Sequence, residues 1–263
     1  LSDRHEALRT RFAFGHDGEP VQIVEATQVA PLNQVDVSSA VDPEEAARDA
    51  VADVTGQPYD LSHVPVRIAL IQLSDDDHVL AFGLHHIAGD RWSLGLLVRD
   101  LAALFDAAEK RAVPALPELT LHAPDWAFWQ RNTQGDAQRD QLSYWVEQLA
   151  ELPRLELPLD HPRGTKPGVH GAEFPFALDR DIEAKARRAA QSKGVSLFTL
   201  LLAAFNVLMH RYCDADDIPI GSEVANRDRP ELQNMMGALV NTLVMRNDLS
   251  GDPDFNTVLT RVA

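Results

Sequence analysis

Alternating apolar and polar positions predict a β-hairpin in the first half of the chain. Residues 64–73 suit a strand, the acidic run 74–77 suits a turn, and residues 78–84 suit a second apolar strand. The same two-residue period, continued past residue 84, separates the two histidines that follow.

Adjacent histidines, His85 and His86, end the second predicted strand. Continued alternation places His86 on the face that carries Leu84 and puts His85 on the opposite face. The two imidazoles therefore point in opposite directions, and only one of them can be the working group. An imidazole is the side chain best suited to move a proton near neutral pH.

A helix is predicted directly after the histidines. Apolar residues recur at helical spacing between 94 and 105, and either Asp90 or Ser93 suits the N-cap. The pattern His-His-x-x-x-Asp therefore lies on a strand-to-helix loop, where backbone N–H groups are free and functional residues concentrate. Residues 125–151 predict further helix.

The second half of the chain predicts a second core. A run rich in proline and glycine between 152 and 171 is the best boundary in the sequence. We therefore expect an N-terminal lobe over 1–160, a connection over 161–170 and part of a C-terminal lobe over 171–263. The elements predicted beyond the boundary are an exposed helix over 179–192, a central helix over 197–212 that is apolar almost all round and opens at Ser196, and strands over 217–224 and 239–246.

Composition narrows the class of function. With 45% hydrophobic residues among 263, the chain can bury a sizeable core. Its formal charge of -16, without a Lys/Arg-rich stripe, argues against nucleic acid as a partner. The single cysteine, Cys213, excludes an intramolecular disulfide framework and a cysteine-rich metal site. Without a signal peptide or an apolar stretch long enough to span a bilayer, a cytoplasmic protein with no membrane partner is expected.

Several chemistries compete for the histidine pair. Two histidines and a carboxylate are metal ligands, but adjacent strand histidines diverge and the convergent H-E-x-x-H pattern is absent, so no metal site is predicted. A Ser-His-Asp hydrolase would need a serine on a glycine-flanked elbow, and no G-x-S-x-G occurs. The interpretations left open are a proton-handling histidine beside an acyl group and a buried structural histidine, which has most weight for His85.

Five segments together resemble the condensation domains of nonribosomal peptide synthetases. Each match is modest, but they occur in the family's order and cover nearly the whole chain. With the family pattern in parentheses, the segments are residues 4–12 (R-H-E-x-L-R-T-x-F), 85–93 (H-H-x-x-x-D-G-W-S), 125–130 (the last six positions of Y-x-D-Y-A-x-W-Q), 220–227 (I-G-T-P-V-A-x-R) and 237–242 (G-F-F-V-N-T).

The resemblance implies an α/β fold like that of chloramphenicol acetyltransferase, with two lobes in a V and the active site in a tunnel between them. It also implies that the chain lacks the family's first strand and helix and much of the second lobe. The start at Leu1 rather than at Met agrees with a piece of a longer protein.

The family joins an upstream acyl or peptidyl thioester to a downstream aminoacyl amine. Both substrates travel on the phosphopantetheine arms of carrier domains, and an adenylation domain lies in the same synthetase. The resemblance therefore implies carrier partners and no cofactor bound by this domain itself. It makes His86 the catalytic residue, which either takes the proton from the attacking amine or stabilises the tetrahedral intermediate.

Other residues enter as supports of the site and as tunnel residues. Asp90 is expected to pair with an arginine that holds the loop, with Arg4 as the first choice and Arg9 as the alternative. His85 supports the same loop. The residues that the resemblance places at the tunnel are Gly89, Arg91, Ser222 and Asn241, whereas Trp92, Trp126 and Trp129 are expected in packing.

Arg91 stands where the family pattern has glycine. This cation could narrow the acceptor side of the tunnel, bind a substrate carboxylate or point into solvent. Intact His86 and Asp90 favour an active domain, whereas Arg91 favours a domain that keeps the fold as a docking platform for carriers or tailoring enzymes. The order Trp-Ser after Arg91 argues against an epimerisation domain, and the two histidines exclude the heterocyclising subtype, which has aspartates there.

Overall fold

The computed structural model describes residues 1–26, 30–133, 135–161 and 171–263, and the chain divides into two compact units. The first unit comprises Leu1–Gln134 and Ala225–Asn241, and the second comprises Gly135–Val224 and Thr242–Ala263. The chain therefore leaves the first unit, forms most of the second, returns to the first over residues 225–241 and leaves it again.

The first unit contains both strands and helices. Short 3₁₀ turns lie at Glu6–Arg9 and Pro230–Leu232. The strands and helices are, in chain order, β1 (Thr10–Phe14), β2 (Pro20–Val24), β3 (Leu32–Asp36), α1 (Pro43–Gly56), β4 (Val66–Gln72), β5 (His78–Leu84), α2 (Arg91–Lys110) and α3 (Ala123–Asn132).

A three-stranded sheet of order β3-β4-β5 leads to the histidine pair. Strand β3 runs parallel to β4, whereas β4 and β5 form an antiparallel hairpin in which Val66 lies opposite Leu84 and Arg67 opposite Gly83. The hairpin predicted from the alternation is therefore confirmed. Strands β1 and β2 form a separate antiparallel pair.

Both faces of this sheet are covered, which explains the long apolar runs of β4 and β5. On one face Ala69, Ile71 and Ala81 pack with Ala47 of α1. The other face joins a core that contains Val66, Ile68, Phe82 and Leu84 of the hairpin, Leu96 and Leu97 of α2, Met236 of the returning segment, and the residues Leu1, Ala7, Leu8, Ala30 and Val64.

Helix α2 begins where the sequence predicts. The Asp90 side chain is the N-cap and accepts the Ser93 N–H, and the helix ends at Arg111 in the left-handed conformation with φ of 50°. Ser93, the other predicted candidate, lies in the first turn instead. The buried side of α2 carries Leu96, Leu97 and Asp100.

The returning segment, residues 225–241, adds a second small core to the first unit. Leu232, Met235 and Leu239 are buried and pack with Leu121 and with Trp126 of α3. This contact confirms the packing role predicted for Trp126, whose ring also stacks on that of Trp129 with centroids 4.7 Å apart.

The second unit is built on a long helix, α6 (Leu197–Cys213). Its core contains Ala203, Ile218, Leu249, Val258 and Leu259. The elements, in chain order, are α4 (Asp136–Gln148), α5 (Arg180–Lys193), α6 (Leu197–Cys213), β6 (Asp217–Val224), β7 (Asn241–Asp248) and α7 (Phe255–Val262), with β6 and β7 paired.

Helix α6 agrees with the prediction in its bounds and only in part in its burial. Ser196 is its N-cap and accepts the Thr199 N–H. Ala203 is fully buried in the core, whereas Phe198 and Phe205, which share another side of the helix, are 54% and 44% exposed. Although α6 is apolar almost all round, the described residues therefore cover it on one side.

The division of the chain differs from the predicted lobes of 1–160 and 171–263. Residues 135–160 belong to the second unit, where the Arg246 guanidinium of β7 donates to the carbonyls of Gln148 and Ala150, at 2.8 and 2.9 Å. The predicted helix over 125–151 is two helices, α3 and α4, with a break after Asn132. Of the predicted connection 161–170, residues 162–170 lie outside the described part of the chain.

Among the described residues, no single helix is long and apolar enough to cross a membrane, although α5 and α6 together pass that test as a pair bent by 105°.

Candidate active site

A tight turn follows β5 and carries the histidine pair. The His85 N–H donates to the Pro65 carbonyl at 3.0 Å, and the His85 carbonyl accepts the Ala88 N–H at 3.0 Å. The Ile87 N–H donates to Nδ1 of the His85 ring, also at 3.0 Å. His85 thus binds the turn through its N–H, its carbonyl and its side chain.

The His85 ring is half-buried and has a structural role in this turn. Because Nδ1 accepts a backbone N–H, the neutral ring carries its proton on Nε2. The ring also meets that of Tyr59 edge to face, with centroids 5.6 Å apart. That His85 supports the loop stays a prediction, and these two contacts favour it.

His86 lies at the exposed tip of the same turn. Strand β5 ends at Leu84, so strand alternation does not extend to His86, and the turn sets its direction instead. Within the described residues, its imidazole makes no hydrogen bond, so both ring nitrogens are open to a substrate. The catalytic role of His86 stays a prediction.

Gly89 closes the turn because there is no room for a side chain. A Cβ at this position would lie 2.7 Å from Leu84 Cδ2 and 3.0 Å from Ser93 Cβ. The glycine is buried, so the structure supports a steric role in the loop. Its predicted place at a substrate tunnel is untested.

Asp90 is the buried anchor of the loop. Its Oδ1 accepts the Ser93 N–H and the Ser93 Oγ–H, both at 2.9 Å, and its Oδ2 accepts the Leu239 N–H at 3.2 Å. The Arg227 Nη2 donates to both oxygens at 3.1 Å. Burial alone would raise the pKa of Asp90, but the bonds from Ser93 and the charge of Arg227 outweigh burial and hold this pKa below its usual value.

The prediction that Asp90 pairs with Arg4 or Arg9 was wrong. Arg4 donates through Nε to Asp100 Oδ2 at 2.7 Å. Arg9, the alternative, donates to Glu6 Oε1 at 3.1 Å and to backbone carbonyls. The partner is Arg227 of the returning segment, whose Nη2 donates to both Asp90 oxygens.

A second buried charge cluster surrounds Asp100 of α2. Besides Arg4, it binds Arg99 at 2.7 Å and His5 Nε2 at 2.9 Å. Burial would raise the pKa of Asp100, but the bonds from Arg4, Arg99 and His5 lower it overall. Burial lowers the pKa of His5, and the bond to Asp100 offsets only part of that effect.

Arg91 is the first residue of α2 and is exposed. With Trp92, Gly95, Leu96, Arg99, Gln233 and Asn234, it lines an open depression of about 430 Å³, and His86 is not among the lining residues. Trp92 donates through Nε1 to the Gln233 carbonyl at 2.9 Å. Of the three possibilities for Arg91, this geometry supports a side chain in solvent.

The two remaining tunnel candidates lie elsewhere in the chain. Ser222 is half-buried on β6 in the second unit, and Asn241 is the exposed first residue of β7. Ser222 belongs to the second unit, whereas Asn241 is the last residue of the first unit, and their place at a common tunnel stays a prediction. Within the described residues, no group of three or more His, Cys, Asp or Glu side chains is placed to hold a metal.

The sequence reasoning missed Arg227 and Gly237. Arg227 is 7% exposed and donates to the carbonyls of Leu232 and Met235 at 2.6 Å as well as to Asp90. The Gly237 nitrogen and carbonyl oxygen both lie at hydrogen-bond distance, 3.1 Å, from Ser93 Oγ. A signal was available, because Arg227 ends one matched segment and Gly237 begins the next.

Comparisons with known proteins agree on one family. The sequence profile described as "Condensation domain" matches residues 1–263. A linear gramicidin synthase of Brevibacillus parabrevis is 40% identical over 267 residues, which cover 100% of this chain and 5% of that protein. The phosphinothricin tripeptide synthetase PhsC of Streptomyces viridochromogenes is 37% identical over 267 residues, covering 100% and 24%. The chain thus spans a small fraction of the length of these relatives.

Solved structures show what this chain resembles in fold. The X-domain from teicoplanin biosynthesis is 31% identical, with TM-scores of 0.87 alone and 0.86 in its complex with OxyB, covering 99% of this chain and 58% of that chain. The first condensation domain of the calcium-dependent antibiotic synthetase, in complex with a substrate analogue, has a TM-score of 0.79 at 22% identity, covering 99% and 62%. The latter likeness concerns the fold alone.

Proposed function

This chain belongs to the condensation-domain family of nonribosomal peptide synthetases, and from that premise we propose that it joins a donor acyl or peptidyl thioester to an acceptor aminoacyl amine. The family and the mixed α/β class, both predicted from the sequence, are confirmed. The proposed partners are an upstream and a downstream carrier domain, which hold the substrates on phosphopantetheine, and an adenylation domain of the same synthetase.

The observation that carries the proposal is an exposed imidazole on a fixed turn. His86 is open to a substrate, while the residues on both sides of it are bound: His85 to Pro65, and Asp90 to Ser93 and Arg227. A group that transfers a proton must be accessible and must also keep its place relative to the reacting atoms. The turn meets both requirements.

The reaction needs little acid–base help to begin. An α-amino group has a pKa of about 8, so a neutral amine is available near neutral pH. Its nitrogen attacks the thioester carbon, the C–N bond forms, and collapse of the tetrahedral intermediate breaks the C–S bond and releases the donor thiol. Orientation of the two substrates lowers the barrier by about 7–11 kcal/mol.

His86 has two candidate roles in this sequence of steps. As a base, it takes the surplus proton from the amine nitrogen, an effect of about 10²–10⁴-fold on rate. As a donor, it stabilises the oxyanion of the tetrahedral intermediate through a ring N–H. Both roles need an open ring nitrogen, which the exposed His86 offers.

The test uses the synthetase module that contains this chain, with its two carrier domains loaded with donor and acceptor. Dipeptidyl thioester is followed by mass spectrometry for wild type, His86→Ala and the control His16→Ala, an exposed histidine on the β1–β2 turn. We expect His86→Ala to lower the rate by about 10²–10⁴-fold without loss of melting temperature, because its side chain is exposed. A wild type that forms no product, with carriers shown to be loaded, contradicts the proposal.

A second function has two observations in its favour. Arg91 replaces the family's glycine and stands exposed beside an open depression of about 430 Å³, and the X-domain, at 31% identity, forms a complex with OxyB. A docking domain without condensation activity fits these two facts. Arg91→Gly decides between the two functions, since activity that appears only in this variant would identify Arg91 as a block.

A further inference from the structure

Tyr59 lies beside the turn that carries His86. It follows α1 in the loop that leads to β4, and its ring meets the His85 ring edge to face, with the planes at 77°. His85 in turn accepts the Ile87 N–H through Nδ1. Displacement of the Tyr59 ring therefore reaches the backbone of the turn through a single side chain.

Arg67 of β4 holds Tyr59 from the other side. Its guanidinium carbon lies 4.1 Å from the centre of the Tyr59 ring, a cation–π contact. The same guanidinium donates to the carbonyls of Gln57 at 2.6 Å and of Pro58 at 2.5 Å, the two residues before Tyr59. Arg67 thus fixes both the ring and the backbone that leads to it.

Gly83 of β5 leaves the space that Tyr59 fills. Gly83 lies directly opposite Arg67 in the strand register. A Cβ at Gly83 would lie 2.6 Å from the Tyr59 hydroxyl oxygen, closer than non-bonded atoms approach. The glycine is therefore required by the close approach of the phenol and not by its backbone conformation.

We propose that Tyr59, held by Arg67 and accommodated by Gly83, is a positioning residue that acts through His85 on the turn and so sets the place of the His86 imidazole. The inference rests on the proposed function of His86. Burial raises the pKa of Tyr59, so the phenol stays neutral near pH 7 and adds no charge beside the histidines.

The first measurement is the single-turnover rate of dipeptide formation in the loaded module, at saturating acceptor carrier. Tyr59→Leu removes the ring contact, and we expect a rate about 10–100-fold lower, since a small misplacement of a reacting group has effects of that order. Tyr59→Phe keeps the ring and should stay within about twofold of wild type. Tyr212→Leu, an exposed tyrosine in the second unit, is the matched control and should not change the rate.

Measuring Tyr59→Leu in the His86→Ala variant distinguishes a positioning role of Tyr59 from a merely structural one. If Tyr59 acts through His86, Tyr59→Leu causes no further loss of rate once His86 is absent. A loss in that background equal to the loss in wild type would overturn the proposal. A wild type that forms no dipeptide would instead contradict the proposed function, and the positioning role with it.

The third measurement does not depend on activity. Hydrogen exchange of the Ile87 amide, followed by NMR, should be about tenfold faster in Tyr59→Leu, because the His85 acceptor is no longer held. Gly83→Ala, which pushes the phenol away, should have the same effect, and adding Tyr59→Phe should reverse it. Exchange that stays at the wild-type rate in both Tyr59→Leu and Gly83→Ala would overturn the proposal. If the wild type still forms dipeptide in that case, the proposed function of His86 stands without the positioning role of Tyr59.

Discussion

Each unit of the molecule has an arginine that binds a carboxylate and backbone carbonyls, but water reaches only one of these pairs. In the first unit, Arg227 pairs with Asp90, and the two side chains are 1% and 0% exposed. In the second unit, Arg246 pairs with Asp217 at 2.6 Å, and these two side chains are 23% and 35% exposed. The bonding patterns are alike, whereas the access of solvent is not.

This difference decides what each pair contributes. A buried ion pair gains little net stability, because both charges lose their hydration, but removal of one partner leaves the other charge buried and unpaired. A partly exposed pair can return to water when it is broken. Arg227 also has a buried Nε with no partner among the described residues. The Arg227–Asp90 pair therefore fixes a conformation, whereas the Arg246–Asp217 pair adds a modest local stabilisation.

The largest expected effect comes from removing the two carboxylates. Asp90→Ala leaves the Arg227 charge buried and the Ser93 N–H without an acceptor, so the free energy of unfolding should fall by about 3–5 kcal/mol. Asp217→Ala should cause a much smaller loss, since water replaces the carboxylate on Arg246. Urea denaturation of the domain that contains this chain measures both. Equal losses would show that burial does not distinguish the pairs.

A smaller effect is expected when each arginine becomes lysine. Arg227→Lys keeps the charge but cannot reach Asp90 and the carbonyls of Leu232 and Met235 with one ammonium group, so about 1–3 kcal/mol should be lost. Arg246→Lys has the same chemistry at a wetter site and should lower the melting temperature less. If both variants have the same melting temperature, the fork geometry of the Arg227 guanidinium has no special importance.

The smallest effect is a dependence of stability on pH, whose upper part originates at His5 in the first unit. The folded-state pKa of His5 lies below the unfolded value of about 6.5, so the unfolded chain binds more protons and stability falls as the pH drops below about 6.5. The lowered pKa values of Asp90 and Asp100 extend the loss below about pH 4, as each carboxylate is protonated.

His5→Gln isolates the upper part of this profile. The variant keeps a donor for Asp100 but does not titrate, so the slope of unfolding free energy between about pH 6.5 and 5 should disappear while the loss below about pH 4 remains. Urea midpoints measured from pH 8 to 3 give both parts. A slope between pH 6.5 and 5 that is the same in wild type and in His5→Gln would place its origin elsewhere.

Local features of this chain could be predicted from the sequence. The hairpin β4–β5 follows from alternation, and Asp90 as the N-cap of α2 follows from a bond to Ser93 three residues away. The bounds of α6 follow in the same way from Ser196 and the apolar run after it. In each case the partners are close in sequence, so one window of residues contains the whole interaction.

Distant partners could not be predicted in that way. Asp90 and Arg227 are separated by 137 positions, and Arg4 was an equally good partner by charge alone. Arg4 lies instead against Asp100, a buried acid that the helical pattern of α2 did not single out. The Tyr59–His85 contact could not be predicted for the same reason, because the sequence around a lone aromatic residue in a loop does not indicate which ring it contacts.

The separation of Asp90 and Arg227 also has a consequence for synthesis on the ribosome. At about 5–20 residues per second, Arg227 leaves the ribosome about 7–27 seconds after Asp90. During that interval the nascent chain holds an unpaired carboxylate at the start of α2, and Met235 and Leu239 have not yet arrived to complete the second small core. The unit whose translation begins first therefore waits until most of the other unit has been made, and a chaperone that protects it would have to stay until residue 241 has emerged.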